Sequence, residues 1–269
     1  MEAPSPNRRQ VAARLFCGLC AAAGHGLAPA GGALPGVEPR QRLPRAEPLP
    51  PMAVALTLDA CGGAFDEALI NTLVQRQVAA TVFTTARWLR GNPHGLRTLM
   101  AHPALFELEN HGAEHRPALV GSTLYGMHGP ADVAGVEREI RGGAAAIVAT
   151  GQPAPRWFRG AGARYDEASL QLIGQLGLRV AGYSLNADDG ATASATTVER
   201  RLLAAQADDI ILAHMNKPAG GTAEGLAAAL PALQQRGLQF VKLSQVPKDM
   251  ALPAAALPAA APRRSTPAV

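Results

Sequence analysis

From residue 52 to residue 246 the chain alternates between short apolar runs and longer stretches whose apolar positions recur every three or four residues. Runs of the first kind predict buried strands, and stretches of the second kind predict amphipathic helices. Strands are expected at 53–58, 81–83, 106–110, 157–159, 179–184, 210–213 and 240–243. Helices are expected at 66–77, 93–101, 131–150, 166–176, 195–207 and 222–236. Asp66 stands at the head of its helix, where a carboxylate accepts the free N–H groups of the first turn. Strands that alternate with helices need crossover connections, which makes them parallel and the crossovers right-handed. The fold class is therefore α/β, a parallel sheet curled into an irregular, incomplete (β/α)7 barrel. Residues 118–130 carry Tyr125 and His128 without periodicity, and read as a lid, a binding loop or a long connection.

The flanks lack the pattern. Asn7-Arg8-Arg9-Gln10-Val11-Ala12 has a twin-arginine look, a short apolar run follows at 15–23, and Ala28-Pro29-Ala30 is a small-x-small cleavage site. Residues 1–30 are expected to be an export signal, which makes the protein exported, periplasmic or secreted. The apolar run is too short to span a bilayer, so no transmembrane segment is expected in the mature protein. Residues 31–51 are rich in Gly, Pro and Arg and read as a disordered linker, and 247–269 as a disordered Ala/Pro-rich tail. The domain proper is 52–246.

Charge changes the picture only by exclusion. The 269-residue chain carries a formal +4, but residues 52–246 hold 16 Lys and Arg against 17 Asp and Glu. The basic excess lies in the flanks, so the domain has no basic stripe for nucleic acid. Cys17 and Cys20 fall in the signal, which leaves Cys61 alone and no intrachain disulfide.

Candidate chemistry gathers where the expected strands end. Asp59, His111, Arg159 and His214 each follow a strand, and Asp189 lies just past another. In a β/α barrel the carboxyl ends of the strands build the active site. His111 and His115 are four residues apart, and two imidazoles at that spacing share a face if the chain begins a helical turn.

These motifs, in this order over nearly 200 residues, resemble the polysaccharide deacetylase family. Leu56-Thr57-Leu58-Asp59 resembles its first motif, a strand ending in an Asp pair, here in a variant Asp-Ala-Cys form. His111-x-x-x-His115 resembles the second motif, and Phe158-Arg159-Gly160-Ala161-Gly162 stands where the family has an Arg-Pro-Pro-Tyr type of motif. Asn186-Ala187-Asp188-Asp189 resembles the Asp-x-x-Asp-Trp motif, and Leu212-Ala213-His214 the closing Leu-x-His. The resemblance implies a hydrolase that removes acetyl groups from an N- or O-acetylated polysaccharide, with peptidoglycan and exopolysaccharide as leading substrates. It implies a divalent metal, most often zinc, on His111 and His115. Asp59 would be the base, Arg159 its orienting cation, His214 the acid and Asp189 the partner of His214, with the Gly162 N–H as oxyanion donor.

The departures are specific. The second Asp of the family's pair, a metal ligand, is Ala60 here, which cannot ligate. Three outcomes stay open: the ion rests on two histidines with extra water, Asp59 ligates it, or another group substitutes, where Asp66 reads rather as its helix's cap and Cys61 as a substitute ligand or a buried, inert thiol. Gly160, Ala161, Gly162 and Gly190 stand where the family has Pro, Pro, Tyr and Trp, so two aromatic faces are gone. Trp88, Trp157, Tyr125 and Tyr165 are the replacements in hand, although Trp88 and Trp157 read equally well as core. His94, His102 and His128 have no place in the chemistry, and Glu107 and Glu109 are expected to face solvent or cap a helix. Two other functions stay open: a glycan-binding protein without activity on the same scaffold, and a thiol hydrolase with Cys61 as nucleophile.

Overall fold

The computed structural model describes residues 34–252 and 254. The expected signal at 1–30 and most of the expected tail lie outside them. The parallel strands are β1 (Ala53–Ala60), β2 (Ala80–Thr84) and β3 (Phe106–Asn110); a hairpin, β4 (Thr123–Leu124) and β5 (Met127–His128), follows. The sheet continues with β6 (Trp157–Phe158), β7 (Arg179–Val180), β8 (Leu185–Asn186), β9 (Ile210–His214) and β10 (Gln239–Phe240). Helices α1 (Glu67–Gln75), α2 (Ala86–Gly91), α3 (Pro93–Met100), α4 (Val133–Ala149), α5 (Glu167–Gln175), α6 (Ala195–Leu203) and α7 (Thr222–Gln235) lie between the strands. Side-chain caps start them where the sequence places Asp or Ser: Asp66 accepts from the Leu69 N–H at 3.0 Å and Asp166 from Ser169 at 2.8 Å. Among the described residues no helix is long and apolar enough to cross a membrane.

The sheet runs β7-β6-β3-β2-β1-β9-β8, with β10 on the start of β1, and all these pairings are parallel. Its two ends, β7 and β8, are consecutive in the chain. The path curls back on itself without closing, as an incomplete barrel. Alternation along each strand separates two cores. Val54, Leu56, Leu58 and Ala60 of β1, with Val82 of β2, Leu108 of β3 and Ile211 of β9, pack outward against the helices. Ala53 and Ala55, with Phe83, Trp157, Ile210 and Leu212, fill the interior. The same interior parity carries Thr57, Asp59, Glu107, Glu109, Arg159 and His214.

Three expectations are corrected here. The strand expected at 179–184 breaks after Val180, because the carbonyls of Ala181 and Gly182 turn to Arg159 (3.0 and 3.1 Å) rather than to a neighbouring strand. The disordered linker expected at 31–51 is, from residue 34 onward, a packed arm. Val37 pairs with Tyr165, Gln41 donates to the Tyr183 carbonyl at 3.0 Å, and Leu43 donates to the Asp208 carbonyl at 2.8 Å. Leu43 and Leu49 enter the interior core at 1% and 5% exposure. The arm has no periodicity because it follows the edges of the barrel's gap, not because it lacks partners. The nearer part of the expected tail also packs, with Met250 and Leu252 against the same core and Ala254 paired with Gln41.

Glu107 and Glu109 face the interior rather than solvent or a helix cap. Glu107 accepts from the Thr81 hydroxyl at 2.6 Å and the Ser244 N–H at 3.0 Å. Glu109 accepts from the N–H groups of Arg156 and Trp157, both at 2.8 Å, and so seats the start of β6. Burial pushes the Glu109 carboxyl up to about 8, with Glu107 adding to the rise and the two N–H bonds opposing it.

Two measurements follow from this interior. Leu43→Ala is expected to lower unfolding free energy by about 2–5 kcal/mol in a denaturant melt, as for any core leucine; a loose tether would give a change near zero. Folded Glu109 holds its proton up to about pH 8, whereas the unfolded group releases it near 4.5. The folded state therefore binds the extra proton in this window, and stability falls as pH rises through it, by at most about 1.4 kcal/mol per pH unit. Glu109→Gln should flatten that part of the stability–pH curve.

Candidate active site

At the carboxyl end of the barrel the interior positions of β1, β3, β6 and β9 converge on a cavity of about 500 Å³. Asp59, Cys61, His115, Gly162 and His214 line it. Asp59 and His214 are register partners across β1 and β9. Arg159, just past β6, is fully buried. It donates from Nη1 to Asp59 Oδ1 and Thr57 Oγ1, both at 2.9 Å, and its guanidinium lies 4.4 Å from the Phe83 ring centre. Burial works against the Asp59 carboxylate, but Arg159, His111 and His214 outweigh it and hold the carboxyl below its ordinary range. Asp59 thus has a buried guanidinium on one oxygen and a histidine near the other.

His111 is buried, and its Nδ1 lies 2.6 Å from the Arg159 carbonyl, which directs Nε2 toward Asp59 Oδ2 (3.6 Å) and Cys61 Sγ (3.4 Å). His115 reaches the same place, with ring centres 5.0 Å apart, but not through a helical turn. Gly112 (φ 89) and His115 (φ 64) turn the backbone instead. The turn is held by buried Glu139 of α4, whose Oε1 accepts from the N–H groups of Glu114 (2.9 Å) and Arg116 (3.0 Å) on either side of His115. A Cβ at residue 112 would lie 2.5 Å from that same oxygen, so glycine is required there. Glu139 carries no signal in the sequence beyond its place on a helix.

Cys61 continues the interior parity of β1, while Ala60 points outward into the helix-facing core. The Cys61 carbonyl is fixed by the Thr85 hydroxyl (3.0 Å) and Arg87 Nη2 (3.2 Å). The ligand atoms of Cys61, His111 and His115 lie within 4.8 Å of one another. Burial opposes a charged sulfur, but His111 beside it, with His115 and His214, pulls the thiol well below its ordinary range. One thiolate and two imidazoles at that separation suit a divalent ion of zinc type. The residue set fits a metal even though the family's carboxylate is missing.

The partner of His214 is Asp188 rather than Asp189. Asp188 is fully buried and accepts from the His214 N–H at 2.7 Å and the Thr222 hydroxyl at 2.9 Å, while its Oδ1 lies 2.9 Å from His214 Nδ1. Burial opposes charge on His214, but the Asp188 hydrogen bond, helped by Cys61, raises it well above the ordinary histidine value. Asp189 sits at φ 49, half exposed, paired with Arg201 at 2.8 Å. The Asn186 side chain causes the shift of one residue, since its Oδ1 accepts from the N–H groups of both Asp188 and Asp189 and turns the second outward. Trp88, Trp157 and Tyr165 are buried in the core, so Tyr125 is the one of the four aromatic candidates with an exposed ring. Tyr183 and Glu38 also line the cavity, and sequence reasoning assigned neither.

The family whose profile matches the chain is described as Polysaccharide deacetylase, and the match covers residues 46–181. The chain belongs to that family. No curated protein matches it. Among solved structures it is similar to a CE4 family pseudoenzyme from Bacillus anthracis, at 20% identity and TM-score 0.59, over 72% of this chain and 65% of the other. It is similar also to a family 4 carbohydrate esterase from Streptomyces lividans in complex with acetate, at 22% identity and TM-score 0.60, over 72% and 93%. A family 4 acetyl xylan esterase from Clostridium thermocellum, in complex with a cobalt ion, matches at 20% identity and TM-score 0.59, over 72% and 89%. These likenesses establish the shared curled half-barrel.

The His214–Asp188 pair yields a direct test. His214, titrated by NMR, should lose its proton at a distinctly lower pH in Asp188→Asn than in the wild type. Asp189→Asn should leave its titration nearly unmoved, since that carboxylate faces Arg201.

Proposed function

We propose that the protein is an exported, metal-dependent deacetylase that removes acetyl groups from an N- or O-acetylated polysaccharide, with peptidoglycan and exopolysaccharide as leading substrates. The observation that carries this reading is the pairing, across one cavity, of a carboxylate anchored by a buried arginine and an imidazole anchored by a buried aspartate. Asp59 has one oxygen committed to Arg159 and the other turned toward His111, and His214 has one nitrogen committed to Asp188. The export assignment, periplasmic or secreted, rests on the sequence pattern of residues 1–30.

Each residue then has one task. Cys61, His111 and His115 would hold the ion, with Cys61 in place of the carboxylate that Ala60 lacks. A bound divalent ion, zinc first among candidates, supplies Lewis-acid polarisation of the acetyl carbonyl and acidifies water beside it. Asp59 takes the proton of the attacking water, and Arg159 keeps the carboxylate oriented and ionised. The backbone N–H of Gly162, on the cavity wall, donates to the developing oxyanion. His214 gives its proton to the leaving nitrogen or oxygen, with Asp188 holding the imidazole in place.

A second reading has an observation of its own. The Cys61 sulfur lies 3.4 Å from His111 Nε2, a spacing that also suits a thiolate nucleophile beside a base. One set of variants separates the two. Under the deacetylase reading the purified protein binds one divalent ion per chain, and acetate release from acetylated sugar oligomers stops on chelation and returns with zinc or cobalt. Asp59→Asn should keep the ion and lose about 10²–10⁴ in rate. Cys61→Asp should keep both ion and release, whereas Cys61→Ala should bind the ion at least about 100-fold more weakly, measured by competition with a chelating dye. Chelator-insensitive release abolished in Cys61→Asp would make the protein a thiol hydrolase. A folded protein with no ion and no release would leave glycan binding alone.

A further inference from the structure

Just past β9 the cavity wall holds a side chain to which the reaction chemistry gives no task, Asn216. The alternation of the strand carries on beyond His214: Met215 enters the helix-facing core, and Asn216 returns to the interior and lines the cavity. Asn216 is only 9% exposed, and its Oδ1 is buried without a hydrogen-bond donor among the described residues. Of the buried side-chain atoms in that condition, it is the one whose residue lines the cavity. Its neighbours are matched, Asp59 by Arg159 and His214 by Asp188. A buried acceptor without a donor is destabilising, so native proteins keep few of them, and each calls for a reason.

The backbone that carries this carboxamide is fastened on every side. The Met215 N–H donates to the Asp59 carbonyl, and the Met215 carbonyl accepts from the Asp66 N–H, both at 3.1 Å. The segment is thereby pinned between the end of β1 and the start of α1. Gly63 (φ 87) passes so close that a Cβ there would lie 2.7 Å from the Asn216 carbonyl oxygen. Any larger residue would push Asn216 away. On the far side Lys217 Nζ donates to the Gly190 carbonyl at 3.0 Å. The position is built with care, yet the polar end of the side chain is left for something the cavity receives. Residues i and i+2 of an extended segment share a face, so that end stands beside His214.

We propose that Asn216 is a substrate-binding residue whose Oδ1 accepts the N–H of an acetamido group, so that the site selects an N-acetyl amide over an O-acetyl ester. This role rests on the deacetylase reading of the site and narrows its substrate class. Once water has added to an amide carbonyl, the nitrogen is pyramidal. Its lone pair takes the proton of His214 as the C–N bond breaks and the amine leaves, while its own N–H points elsewhere and needs an acceptor. An ester oxygen carries no hydrogen and leaves the carboxamide unpaired. A site built around such a bond discriminates against the analogue that lacks it.

The test uses the full, zinc-loaded chain and measures kcat/KM for acetate release from the N-acetylglucosamine tetramer and from acetylated xylotetraose. Asn216→Leu is close in volume and has no polar atom to leave unpaired, so its melting temperature should equal or exceed that of the wild type. Its kcat/KM on the amide should nevertheless fall about 10- to 100-fold, while the value on the ester stays within about twofold. Asn216→Ala should show the same divergence without the bulk of leucine. Equal losses on both substrates, or no loss on the amide, overturn the N–H role and leave the deacetylase reading standing. Wild-type protein that releases acetate from the ester alone does the same. Wild-type protein that releases acetate from neither substrate overturns the deacetylase reading, and the N–H role falls with it.

Discussion

A guanidinium sealed from water governs the architecture around the cavity. A charge in such a place persists only where its donors are matched, since an unpaired one costs several kcal/mol. Arg159 meets Asp59, Thr57 and the carbonyls of Ala181 and Gly182. Those two carbonyls are thereby withdrawn from strand pairing, and the barrel opens between β7 and β8. The arm at 34–43 lies along that opening, with its backbone bonded to Tyr183 and Asp208. One buried cation thus connects the break in the sheet, the seat of the arm and the ionisation of the acid that lines the cavity. Lysine would not serve, because a point charge cannot reach four acceptors in a fixed plane.

What was legible in the sequence follows from period two. Asp59, His111, Arg159 and His214 share the interior parity of parallel strands, so each apolar run that ends in one of them predicts both the strand and the direction of its last side chain. The same rule explains Ala60 and Cys61. Cys61, one residue further along, regains the interior face beside His111 and His115, while Ala60 packs among the helices. Under the proposed function, the departure from the family motif is a change of donor rather than a loss of one.

The parts that were not legible depend on partners that no local pattern announces. Asp188 and Asp189 are equivalent in the sequence, and only the Asn186 side chain, through two N–H bonds, decides which of them turns inward. Glu139 sits on an ordinary helix and acquires its role from the turn it meets. The arm carries no local signal for a related reason: Pro, Gly and Arg do not form a periodic element, yet they can follow an existing edge, and two leucines fasten them to the core.

The arm has a bearing on where this protein begins as a physical object. The family profile starts at residue 46 and the regular alternation at 52, so a domain boundary drawn from either would cut away Val37 to Leu43. The excised barrel would present, at Gly182, Tyr183 and Asp208, backbone groups with nothing opposite them. Bare sheet edges of that kind recruit the nearest extended chain, and in a concentrated solution the nearest one is another copy. The short arm therefore covers, among the described residues, a margin between β7 and β8 that the curled sheet leaves open.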